Sequence, residues 1–120
     1  MQRENEAIEH YYSLHPADFH ALVRLELRQV PGCETPELLM EIELRANEDA
    51  DTRRLILSFG GVKNLKFIPP QDSVLYFSFI DVASIRNRQW ENVNYHVFET
   101  EQDADFSFIC RDFSARVLAT

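Results

Sequence analysis

Between Ala21 and Leu44 the chain alternates apolar and charged residues with a period of two. Val23, Leu25 and Leu27 interleave with Arg24, Glu26 and Arg28, and Met40, Ile42 and Leu44 interleave with Glu41, Glu43 and Arg45. A helix scatters such a pattern around its surface, whereas a strand gathers it into one face for a core and one for water. Pro31-Gly-Cys-Glu-Thr-Pro36 separates the two runs and carries the residue types of a turn. Together they predict an antiparallel hairpin. A loop that closes symmetrically would set Arg24 opposite Glu43 as a cross-strand ion pair.

The flanking sequence extends this reading. Residues 3–14 lack Gly and Pro and place Ile8, Tyr11, Tyr12 and Leu14 near helical spacing. They predict a short amphipathic helix that ends before Pro16 and packs its Ile8/Tyr11/Tyr12 side on the sheet. Asn47-Glu-Asp-Ala-Asp-Thr52 reads as a polar loop. Arg53–Phe59 and Val62–Ile68 read as strands around Gly60-Gly61, which serves either as a tight hairpin turn or as a bulge for sharp bending. Pro69-Pro70 ends pairing, because proline has no N–H for a ladder. Ser73–Val82 is apolar on both faces, as a central covered strand would be. Asn94–Thr100 and Asp105–Phe113 predict a second hairpin with Phe106, Phe108 and Cys110 on one face. No βαβ rhythm, repeat or domain boundary is visible. The expected fold is α+β, mainly β: a single domain over residues 1–120, with a helix at 3–14 and about seven antiparallel strands within 21–118. These would form a curled sheet or a small sandwich.

At 120 residues the chain is long enough for one real core. Its apolar runs fall far short of the roughly 20 residues that span a bilayer, and Met1-Gln-Arg-Glu-Asn-Glu-Ala is unlike a secretory signal. A cytoplasmic protein away from membranes is expected. The net charge of −8 argues against a nucleic-acid partner, which needs a basic face, and suits either a basic protein partner or simple solubility. Cys33 in the turn and Cys110 in an apolar strand make neither a disulfide framework nor a metal site.

Four groups of residues are candidates for function. Trp90-Glu91 pairs an interface-type aromatic with a charge, and equally suits a ring that covers a core edge. Glu99, Glu101, Asp103 and Asp105 form an acidic comb that could meet a basic partner, although a solvated hairpin tip has the same composition. No calcium-loop pattern accompanies it, and no metal or cofactor is expected. His10, His15, His20 and His96 lack metal spacing. His20 with Asp18 could exchange a proton, but nothing supplies a nucleophile or oxyanion donors, so no catalytic residues are assigned. Arg86 and Arg88 are the one local basic concentration. Tyr76, Phe77 and Phe79 would line any small-ligand pocket in a curled sheet.

Three segments carry a family resemblance: Pro16-Ala-Asp-Phe-His-Ala-Leu-Val-Arg-Leu-Glu-Leu-Arg28, Leu57-Ser-Phe-Gly-Gly-Val-Lys-Asn-Leu65 and Asp105-Phe-Ser-Phe-Ile-Cys110. The chain resembles small bacterial proteins classed as predicted immunity proteins of polymorphic toxin systems. In that pattern an aspartate follows the Phe-His pair. Here Ala21 stands in its place and the acid precedes the pair as Asp18. The resemblance implies a mainly β domain that inhibits by binding and needs no catalytic residues. An acidic face with Glu99, Glu101, Asp103 and Asp105 would then meet a basic toxin, with Trp90 and Glu91 as anchor. A homodimer through a β-edge or an aromatic patch is the alternative from a different class.

Overall fold

The computed structural model describes residues 3–31, 35–68, 80–85, 94–99 and 106–119, with side chains from residue 6 onward. The helix α1 (Arg3–Ser13) leads through a 3-10 turn at Pro16–Asp18 into β1 (Phe19–Val30), β2 (Glu37–Ala46), β3 (Arg54–Gly60), β4 (Lys63–Phe67), β5 (Ile80–Ser84), β6 (Tyr95–Glu99), β7 (Phe106–Cys110) and β8 (Asp112–Leu118). These eight strands form two four-stranded antiparallel sheets. Sheet A has the order β1-β2-β3-β8 and sheet B the order β4-β7-β6-β5.

The expected first hairpin is present, and Arg24 pairs with Glu43. Its inner face differs from simple alternation. The register shifts between Leu22 and Arg24, so Val23 occupies a bulge and is 47% exposed while Leu22 turns in against the core. The bulge adds one residue, which reverses the side on which the preceding residues sit.

Gly60-Gly61 makes a bend and not a hairpin turn. β3 pairs with β8 in sheet A and β4 with β7 in sheet B, so the glycines carry the chain from one sheet to the other. Arg111 carries it back between β7 and β8, and its N–H donates to the Gly60 carbonyl at 3.0 Å. Gly61 has φ +65°, and a Cβ there would meet Arg111 Cβ at 3.0 Å. The corner therefore demands glycine for both conformation and space. The expected strand over Asp105–Phe113 is accordingly two strands in different sheets.

The inner faces of the two sheets meet in one core. Met40, Ile42, Leu44, Leu55, Leu57 and Phe59 face Val82, Val97, Phe106, Phe108 and Cys110. Phe59 stacks on Phe113 at 5.3 Å and meets Phe108 edge-on at 4.8 Å, which ties the sheets together. Cys110 packs as a small apolar residue. Burial, with Asp112 adding to it, pushes its thiol up to about 12.

The helix sits where two sheet edges come together. It packs on β8, the last strand of sheet A, and on β5, the last strand of sheet B. Tyr11 is buried, meets Phe113 edge-on at 5.5 Å, and donates its hydroxyl to the Ile80 carbonyl at 2.6 Å. Tyr12 donates to Asp81 Oδ1 at 2.8 Å and accepts from the Val82 N–H at 3.3 Å. His10 Nε2 donates to the Ala115 carbonyl at 3.0 Å. The described part of Ser73–Val82 is thus the start of an edge strand covered by the helix. Among the described residues it has a strand neighbour on one side only, and the remainder of Ser73–Val82, expected as a central strand, lies outside the described residues.

Candidate functional site

The strand order settles where each candidate segment leaves the sandwich. β5 and β6 are antiparallel, with Ser84 opposite Tyr95 and Ile80 opposite Glu99, and β6 pairs with β7 from Tyr95↔Cys110 to Phe98↔Ser107. Trp90 and Glu91 belong to the connection entering β6 at Tyr95. Glu101, Asp103 and Asp105 belong to the one leaving it at Glu99. All five residues lie outside the described residues, but their anchor points do not. The two anchors stand at opposite ends of a five-residue strand, about 14 Å apart at the usual rise per residue.

The Trp90 connection is clamped at its base. The Ile85 N–H donates to the Asn94 carbonyl at 3.0 Å, and the Asn94 N–H donates to the Cys110 carbonyl at 2.9 Å. Asn94 Nδ2 also donates to the Arg111 carbonyl at 2.9 Å. This end holds the glycine corner and the ion pairs of Arg111 with Glu37 and Asp112. Those carboxylates, Asp112 first, hold the guanidinium above its ordinary range.

At the opposite end Glu99 points inward in line with Tyr95 and Val97 and is only 3% exposed. The comb is therefore not one continuous exposed row: its first member joins the buried face of β6 because strand alternation puts residues 95, 97 and 99 together. At this same end Phe67 pairs with Phe106, so Ile68, the next residue after β4, lies at the end of sheet B that holds Glu99 and Phe106. Ile68 is 55% exposed. Sequence reasoning passed over it, because it reads as the last residue of a strand; the pairing of Phe67 alone shows that β4 ends before it.

The outer face of sheet A is charged but balanced. Arg24 bridges Glu41 and Glu43, with Glu26 at 3.7 Å, and Arg54 meets Glu43 at 3.7 Å. Ser58 Oγ donates to Glu41 at 3.3 Å. The Arg24 hydrogen bond holds Glu41 below the usual carboxylate range. Ile56, between Glu43 and Arg116 in the ladder, is 2% exposed on this outer face, roofed by its charged neighbours. A depression of about 110 Å³ lies here, lined by Glu26, Arg28, Leu39, Met40, Glu41 and Ser58.

A second acidic group lies around Asp18. The Asn47 N–H donates to the Asp18 carbonyl at 2.8 Å, which brings the 3-10 turn against the loop holding Glu48, Asp49 and Asp51. Asp51 is held below its ordinary range by Arg53, whose side chain donates to it at 2.7–3.1 Å. Arg53 also lies 5.3 Å over the Phe19 ring. His20 is half-buried, and no hydrogen bond joins it to Asp18 among the described residues. Cys33, Tyr76, Phe77, Phe79, Arg86 and Arg88 lie outside the described residues. No helix among those described is long and apolar enough to cross a membrane.

Comparison with known proteins supplies one match. The family model described as Immunity protein PIM8 covers residues 3–116. No curated protein and no solved structure matches the chain.

Proposed function

This chain belongs to the PIM8 family of immunity proteins, and from that premise we propose that it binds a toxin and occludes its basic surface with the acidic end of sheet B. Glu101, Asp103 and Asp105 supply the charge, and Ile68, at the end of sheet B that holds Glu99 and Phe106, supplies an apolar contact. Trp90 and Glu91 form a second contact on the connection at the other end of β6, within reach of a partner large enough to span the sheet. The observation that supports this choice of surface is the charge balance of sheet A. Its glutamates are already engaged by Arg24 and Arg54, so the unmatched negative charge of the chain has to be sought elsewhere. Acidic residues facing a basic partner chiefly raise the association rate and set specificity.

The test is co-expression with the toxin encoded beside the gene, followed by calorimetric titration. A combined Glu101→Lys, Asp103→Lys, Asp105→Lys variant should bind at least tenfold more weakly and show a flatter dependence on salt. Trp90→Ala should weaken binding independently of salt. Glu41→Gln, on the balanced face, should leave affinity unchanged. Unaltered binding by the triple variant would sink this surface.

A further inference from the structure

Among the described residues the two sheets have four edges, and three of them are closed to further pairing. β8 and β5 lie under α1. β4 carries Lys63 and Lys66, a left-handed Asn64 (φ 56°), and a register shift between the two lysines. Lysines and irregular backbone are the usual means of stopping an edge from accepting another strand.

β1 differs along its length. Its first half has two register shifts, between Phe19 and Ala21 and between Leu22 and Arg24, but from Arg24 to Val30 it runs in step with β2 without interruption. Among the described residues nothing pairs with its outer side, residues 26–29 are exposed, and Leu27 is 47% exposed on the face that belongs to the core. Arg28 is exposed and enters no ion pair among the described residues.

We infer that the edge of β1 over residues 24–30 pairs antiparallel with the same segment of a second copy of this chain, with the two-fold axis at Leu27. The charges select this partner and this register. Two copies of one sheet edge related by an axis perpendicular to the sheet can pair only residues of equal parity, because opposite residues must share a face. With Leu27 on the axis, Glu26 faces the partner's Arg28 and Arg28 faces the partner's Glu26, while the two exposed Leu27 side chains cover each other. Placing the axis at Glu26 or at Arg28 sets like charges opposite one another. Placing it at Leu25 pairs Arg24 with Glu26 but brings the bulged Val23 into the ladder. One register therefore combines opposite charges with regular backbone, and it joins the two copies of sheet A into an eight-stranded sheet. This inference stands apart from the toxin-binding reading, which uses sheet B.

Sedimentation across a range of protein concentrations tests it. The wild-type protein should move from the 14.1 kDa monomer to a species of twice that mass. Glu26→Arg and Arg28→Glu should each weaken the dimer about tenfold or more, since each change creates two like-charge contacts. The double variant should regain wild-type affinity, and an equal mixture of the two single variants should form heterodimers in preference to either homodimer. At concentrations low enough for every form to be monomeric, thermal melts of the single variants should match wild type, because both side chains are exposed. A monomer at every concentration overturns the inference, as does a dimer indifferent to both reversals. Sensitivity to Glu26→Arg alone overturns the register.

Discussion

The seam under α1 and the outer half of β1 are both sheet edges, and the chain treats them in opposite ways. At the seam three side chains of one helix, His10, Tyr11 and Tyr12, are hydrogen-bonded to backbone groups of β8 and β5. At β1 the backbone from Arg24 to Val30 is regular and the side chains of residues 26–29 are exposed. An unpaired edge invites association, so a sequence that seals two edges with a helix and a third with lysines has not left the fourth open for want of means. The difference separates edges that make the fold from an edge available to a partner.

Removing the cover should cost most. Tyr11→Ala empties a buried aromatic site between the sheets and should lower stability by about 3–5 kcal/mol in chemical denaturation, as for other large-to-small core changes. Tyr11→Phe keeps the ring against Phe113 but leaves the Ile80 carbonyl without its donor, which should cost about 1–3 kcal/mol. If both changes cost the same, the hydroxyl matters and the packing does not, and the seam is a polar clamp.

Alkali should open the same seam. Burial raises the Tyr11 phenol and pushes Tyr12 up to about 12, both from 10.0, and Cys110 to about 12 from 9.0. In each the folded state holds the neutral form. The stability this represents is complete below the unfolded pKa and is lost as pH rises through the folded one, so the melting temperature should fall steadily between about pH 9 and 12. Tyrosinate absorbance should show Tyr11 and Tyr12 ionising later than an exposed phenol. The smallest effect belongs to the bare edge. Leu27→Lys should shift the stability of the monomer by no more than about 0.5 kcal/mol. A large loss there would mean that β1 needs its exposed leucine to fold, and the contrast between the edges would fail.

Local pattern and non-local pairing were unequally legible in the sequence. The β1–β2 hairpin and its Arg24–Glu43 pair could be read because alternation and a short turn determine them within some thirty residues. The helix could be read for the same reason, and its Tyr11 packs as expected. The Val23 bulge was hidden by Leu22-Val23, two apolar residues of which either could have turned inward. Gly60-Gly61 announced a change of direction, but only the pairing of β3 with β8, more than fifty residues later, decides that the chain leaves its sheet there. Glu99 looked like one tooth of an acidic row, yet parity with Tyr95 and Val97 turns it inward. The ion-pair balance of sheet A was invisible too, since it depends on Arg54 reaching Glu43 from a neighbouring strand.

The placement of α1 also has a consequence in time. The helix is synthesised about a hundred residues before β8, against which it packs. At usual rates of synthesis roughly ten seconds separate the two. Throughout that interval Tyr11 has no Phe113 to meet and β3 no β8 beside it. A nascent chain of this design gains its full architecture in one late step, and a chain cut short before Phe113 cannot close the seam under the helix.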